Sequence, residues 1–164
     1  MQGTVHARTC ARPAFIPQGR PRGVKRLGVI FEADLARLLP AGWVRGQWWE
    51  WGDGGGALHW CQTDFHLANS ARTVVLEAKR TWVPEARSKL RELYLPVAEA
   101  ALKRPAVGIV VVQRLTSDCP DRVCQTLEEA IELALEGVPT VWHVSLLGCK
   151  VPRPTRARRS KRPI

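Results

Sequence analysis

Three charged residues, Asp64, Glu77 and Lys79, stand where the chain is otherwise apolar. Asp64 lies between Thr63 and Phe65, and Glu77 and Lys79 flank Ala78 directly after the run Val74-Val75-Leu76. Side chains alternate along a strand, so Glu77 and Lys79 are expected on one face and Ala78 on the other. If the strand carrying Asp64 pairs with the strand carrying Glu77, two carboxylates converge, and they repel unless a cation sits between them. Hard oxygen ligands of this kind suit Mg2+, which keeps waters and also binds phosphate. A neighbouring lysine either stabilises charge developing on a phosphate or, with a lowered pKa, takes a proton from water. A cation, a lysine and two carboxylates together are the equipment of phosphodiester hydrolysis.

The elements that must position these groups follow from periodicity. A helix begins at Val24, with apolar positions Leu27, Ile30, Phe31, Leu35 and Leu38 on one face, and ends at Pro40 and Gly42. Residues 43–51 and 57–67 are predicted to pair as a hairpin around Gly52-Asp53-Gly54-Gly55-Gly56. That glycine run leads into a strand and not a helix, so it is a turn and no phosphate cradle. A third strand, residues 72–80, follows the Asn69-Ser70 turn, and its apolar run predicts burial on both faces. Pro84 opens a helix with Ala86, Leu90, Leu93, Tyr94, Val97 and Ala101 at helical spacing, and Pro96 should kink or divide it. A buried strand at 106–115, a helix with a Thr126/Glu129 capping box closed by Gly137, and a last strand at 140–147 complete the order. The expectation is an α/β fold with a mixed central sheet of about five strands, the third near its centre, flanked by helices. No internal repeat is present.

Strict alternation places Gln62 and His66 on the face of Asp64. Gln62, Arg80, Lys89 and Arg114 are the candidate substrate contacts. Five tryptophans, Trp43, Trp48, Trp49, Trp51 and Trp60, crowd the hairpin. They are expected to serve mostly in packing, with Trp49 and Trp51 on one face and Trp48 on the other, although such rings can also stack bases.

The chain of 164 residues suffices for one domain with a single core. Charge divides it into three. Residues 1–26 carry six Lys or Arg and no acid, and residues 150–164 carry seven and no acid. All 15 acidic residues therefore lie between them, and the net charge of +10 belongs to the ends. We read residues 1–23 as a basic arm, mobile or packed in extended form, 24–149 as the folded domain, and 150–164 as a basic tail. Such ends either solvate the protein or contact a polyanion, and their arginine content favours nucleic acid. Five scattered cysteines, Cys10, Cys61, Cys119, Cys124 and Cys149, make no disulfide framework; Cys119-x4-Cys124 lacks the second close pair that zinc needs. No apolar run is long enough to span a bilayer and no secretory leader is present, so no membrane partner and a cytoplasmic location are expected.

The spacing of Asp64, twelve residues, then Glu77-Ala78-Lys79 resembles the D…ExK signature of the PD-(D/E)XK nuclease superfamily. The predicted order of helix, three strands, helix and strand is similar to the αβββαβ core of that restriction-endonuclease-like fold. Thr63 stands where the eponymous proline would precede Asp64. The resemblance covers roughly residues 27–115, and its tone is that of small phage-encoded nucleases and resolvases, for which the cytoplasm would be the host's. It implies a Mg2+-dependent deoxyribonuclease, with Mn2+ able to substitute. Asp64, Glu77 and the Ala78 carbonyl would hold the metal, with Glu32 of the first helix assisting through water, and Lys79 would orient the attacking water or balance charge. Related branches carry a Gln about one turn ahead of a Tyr; Lys89 stands near that position before Tyr94. The implied activity is a structure-selective endonuclease on branched DNA, acting as a homodimer. The rivals are an exonuclease of the same superfamily and a non-catalytic, basic nucleic-acid-binding protein on this fold.

Overall fold

The computed structural model of the protein describes residues 6–19, 21–114, 123–137 and 141–145. Along the chain they form β1 (His6–Cys10), α1 (Gly23–Leu38), β2 (Val44–Arg45), β3 (Trp48–Gly52), β4 (Leu58–Gln62), β5 (Phe65–Ala68) and β6 (Thr73–Thr81). Then come α2 (Pro84–Lys89), a π turn (Leu90–Tyr94), α3 (Leu95–Leu102), β7 (Ala106–Arg114), β8 (Val123–Cys124), α4 (Leu127–Glu136) and β9 (Val141–Ser145). The result is a mixed α/β protein. A six-stranded sheet has the order β2-β5-β6-β7-β9-β8, and a separate three-stranded sheet has the order β1-β3-β4. None of the helices among the described residues is long and apolar enough to cross a membrane.

The third predicted strand is β6, and it is central as expected. It pairs antiparallel with β5 and parallel with β7, whose register sets Glu77 beside Val110 and Lys79 beside Val112. Alternation along β6 separates two cores. Val74, Leu76 and Ala78 pack with Phe31 and Leu35 of α1 and with Leu127, Ala130 and Ile131 of α4. Val75 faces the other way, with Val110, Val112, Ala86, Leu90, Tyr94 and Val97. Trp49 and Cys61 of the small sheet join that second core, so the small sheet and the α2–α3 segment are packed together. Leu76 and Ile109 are wholly excluded from water, and burial of each side chain stabilises the fold by about 1.5–3 kcal/mol.

The predicted hairpin is present, but it is bent. Pairings from Gly52↔Leu58 to Trp48↔Gln62 lie in the small sheet, and Arg45↔Phe65 and Val44↔His66 lie in the large one. The same register runs through both. Between them the Thr63 N–H donates to the Gln47 carbonyl at 3.1 Å and the Gly46 N–H donates to the Asp64 carbonyl at 2.9 Å. Gly46 sits at φ +67, and a Cβ there would stand 3.1 Å from Gln62 Nε2, so a glycine is what permits the crease. The crease also defeats strict alternation. Thr63 and His66 both approach Trp49, by a 3.0 Å hydrogen bond and a 5.1 Å ring contact, whereas Gln62 lies across from Trp48 on the opposite face. Gln62 and His66 therefore do not share a face.

Other expectations are corrected. The large sheet has six strands and not five, because the two-residue β8 forms an edge too short to read from sequence. Part of the basic arm is a strand: β1 pairs with β3, completing the small sheet. In α1 only the turn of Phe31 and Leu35 is fully buried; Leu27 and Ile30 remain 44% and 45% exposed. The helical segment is divided beside Pro96, as expected: the π turn ends just before it, and Pro96 falls in the first turn of α3. The capping box at α4 forms in part: Thr126 Oγ1 accepts from the Glu129 N–H at 3.1 Å, the Glu129 carboxylate accepts from the Gln125 N–H at 2.7 Å one residue early, and Gly137 closes the helix at φ +94. The tail at 150–164, Cys119 and Cys149 lie outside the described residues; Cys10, Cys61 and Cys124 are free thiols.

The Trp49–Thr63 bond holds the buried side of the crease. Thr63 is fully buried, so Thr63→Val keeps the shape and strands the indole N–H. A loss of about 1–3 kcal/mol in urea unfolding is expected, and a change below about 0.5 kcal/mol would show that this bond does not hold the crease.

Candidate active site

Asp64 occupies the crease itself, between β4 and β5, and Glu77 lies across from it where the β5–β6 register is continued. The Ala78 N–H donates to Asp64 Oδ2 at 2.8 Å, tying the crease to the central strand. Lys79 Nζ donates to Glu77 Oε1 at 2.5 Å. Glu32 approaches from α1, where Arg45 of β2 meets its Oε2 at 3.5 Å. The field of Asp64 reaches Glu32, and that of Glu32 reaches Lys79. Asp64, Glu77, Lys79 and Glu32 thus lie within reach of one another's charge, from three places in the chain: α1, the crease and β6.

Burial dominates the electrostatics. It pushes the Glu77 carboxyl up, the Asp64 charge adds to this, and Lys79 and Lys89 offset only part, leaving Glu77 at about 7. Burial likewise raises Asp64 above the usual carboxylate range, against the Ala78 N–H and the two lysines. Glu32 is raised by burial and then by Asp64, with Arg45 opposing. Lys79 feels the opposite balance. Burial works against its charge, but Glu77, Asp64 and Glu32 outweigh it and hold its pKa above that of a free lysine. Lys79 is therefore held toward its charged form beside these acids, which favours the charge-balancing one of its two expected roles.

Glu77 Oε2 is buried and, as a carboxylate oxygen, has no hydrogen-bond donor. As an acid it has Asp64 as a partner within hydrogen-bonding reach. Burial and mutual repulsion favour a proton on the pair, at a place where a divalent cation would satisfy both carboxylates, and this is the respect in which the residues fit Mg2+. Among the described residues, no group of three or more His, Cys, Asp or Glu is arranged to hold a metal as it stands; Glu77 Oε1 accepts from Lys79 and Asp64 Oδ2 from the Ala78 N–H.

The remaining candidates divide. Lys89 lies near the acids, favouring their ionised forms, with Nζ 4.8 Å from the Tyr94 ring. Tyr94 walls the site from the π turn; burial, with Glu77 and Asp64, raises its hydroxyl pKa. Arg114 is exposed and pairs with Thr81, which puts it on the Lys79 face one step further along the sheet. Arg80 is not brought in: it shares the face of Ala78 and hydrogen-bonds Gln113 at 3.2 Å. Gln62 is turned outward, donating to the Gly46 carbonyl at 2.9 Å, and His66 is buried against Trp49 with its pKa lowered by burial. Arg45 was missed from sequence. Continuing the hairpin register from the glycine turn would have set it opposite Phe65, next to Asp64, and its guanidinium indeed lies 5.9 Å from the Phe65 ring.

The raised Glu77 pKa has a signed consequence. Between about pH 4.5 and pH 7 folded Glu77 keeps a proton that the unfolded chain has lost, so stability falls as pH rises through that window. In EDTA, the wild type should lose up to about 3 kcal/mol more than Glu77→Gln between pH 4.5 and pH 8, measured by urea unfolding. Parallel profiles for the two proteins would contradict the shared proton. Comparison of the chain with protein-family models, with curated proteins and with solved structures returned no match.

Proposed function

We propose that this protein is a metal-dependent deoxyribonuclease of the PD-(D/E)XK type, cutting branched DNA as a homodimer. The observation that carries the reading is the buried Asp64–Glu77 pair under Lys79, with a Glu77 oxygen that lacks any donor. Supporting it, Glu77 lies on the central strand β6 and Asp64 across from it in the crease before β5, after a helix that supplies Glu32, in the order that the D…ExK resemblance implies. Asp64, Glu77 and the Ala78 carbonyl would hold Mg2+ or Mn2+, with Glu32 one step removed, and the ion would supply Lewis acidity toward water and a phosphate oxygen.

The chain's own residues do the rest. Lys79 stays protonated and sits where it can orient a phosphate and offset negative charge gathering on it. Lys89 and Arg114 extend that positive field along the same side of the sheet. Arg45 holds Glu32 toward the acids. Tyr94 and the small-sheet Trp49 wall the buried side, which keeps the dielectric low and strengthens each of these interactions. The basic ends, with six and seven Lys or Arg, add salt-sensitive affinity for the DNA backbone.

With Mg2+ the wild type should cut a synthetic four-way junction faster than a linear duplex of equal sequence, and EDTA should stop it. Glu77→Ala should abolish cutting, and Lys79→Ala should slow it by about 100- to 1000-fold, the usual loss for one electrostatic stabiliser. Persistence of cutting in both variants would remove these residues from the active site.

A further inference from the structure

The three-stranded sheet has an inner face that belongs to the core and an outer face that the acid site does not use. Trp49, Trp51 and Cys61 point inward. Register places Trp48, Glu50, Trp60, Gln62, Arg8 and Cys10 on the other side, because Trp48 pairs with Gln62 and Cys10, and Glu50 pairs with Trp60 and Arg8. The segment after β1 returns over this face. Phe15 meets the Trp60 ring edge-on at 5.1 Å and is itself 66% exposed. The Arg12 guanidinium lies 5.9 Å from the Trp48 ring. Arg12 bonds to the carbonyls of Ile16 and Pro17, and among the described residues it pairs with no carboxylate. The one acid on the face, Glu50, is matched by Arg8 at 2.7 Å.

Partly buried tryptophans beside arginines offer ring surface for bases and charge for phosphates together. Every base has a face that stacks on an indole, and arginine meets the phosphate between. Two arginines are shown at this face, Arg8 paired with Glu50 and Arg12 beside Trp48. The direction of the strand also matters. β4 runs from Leu58 through Trp60 to Gln62, and the same ladder continues through Thr63 to Asp64. Gln62 ends the outer face only two residues, about 7 Å of chain, from the crease.

We propose that the outer face of the β1-β3-β4 sheet binds an unpaired DNA strand, with bases stacked on Trp60 and Trp48 and backbone held by Arg12, and leads it over the crease toward Asp64. The destination of the strand rests on the nuclease reading; the stacking surface stands or falls by itself. A partly unpaired strand at a branch point is the substrate feature such a face would select, since paired bases offer no free ring surface.

The test is binding of a fluorescein-labelled 20-nucleotide oligo-dT, by anisotropy in EDTA at fixed moderate salt, beside a duplex of equal length. Trp60→Ala and Trp48→Ala should each weaken oligo-dT binding about 5- to 150-fold, the loss of one stacked base, with less effect on the duplex. Trp60→Phe should keep most of the affinity. Phe15→Ala, at a largely exposed position, should weaken oligo-dT several-fold without affecting the fold. Glu77→Gln should bind oligo-dT as the wild type does while losing junction cleavage, so failure of the nuclease reading is seen separately from failure of the surface. Binding of oligo-dT within twofold of wild type in both tryptophan variants would overturn the proposal. So would equal losses on single strand and duplex, and tighter binding of oligo-U than of oligo-dT would overturn its assignment to DNA.

Discussion

Two carboxyl groups placed side by side out of water are the constraint on which the rest of this structure depends. Isolated, either would cost the fold several kcal/mol as an anion. Here the cost is met in three ways. The Ala78 N–H is given to Asp64, Lys79 is drawn onto Glu77, and burial raises the Glu77 pKa to about 7, which favours its neutral form. Each compensation needs the backbone to hold still. That is the role of β6, whose apolar residues are locked between two cores, with its charged end carried past them.

The crease supplies the geometry that a flat sheet could not. A straight hairpin would leave Asp64 as one more alternating strand residue. The bend at Gly46 and Asp64 takes the acid out of both ladders, so its backbone pairs with Gly46 and its side chain is free to reach the next strand. The same bend turns the outer half of the hairpin into a second sheet. One hairpin thus carries an aromatic surface on its distal half and an acidic centre at its elbow, and the bond between Trp49 and Thr63 fixes the angle between them.

The charged cluster was legible in the sequence because charges inside an apolar run have few explanations. Asp64, Glu77 and Lys79 could be picked out by that contrast, and the elements around them by period: β6, β7, α4 and the hairpin register all lie where hydrophobic spacing and turn residues put them. What could not be read was where alternation stops. Gln62 and His66 were assigned to one face by counting, and a single glycine with positive φ reversed the outcome. Short edge pieces such as β8, and a strand like β1 that has no apolar period of its own, depend on partners distant in sequence. The exposure of Leu27 and Ile30 is of the same kind, since helical period marks a face but not how much of it the sheet reaches. Arg80 failed for a simpler reason: it follows Lys79 directly and must point the other way.

The central claim is that Asp64 and Glu77 hold a proton that a divalent cation replaces, and proton release on metal binding tests it most directly. Calorimetric titration of Mg2+ or Mn2+ at pH 6.5, repeated in buffers of different ionisation enthalpy, counts the protons displaced. With Glu77 near 7, about three-quarters of a proton per site should leave at pH 6.5 and almost none above pH 8.5. Metal binding that releases no proton at pH 6.5, or that survives unchanged in Glu77→Gln, would contradict the account.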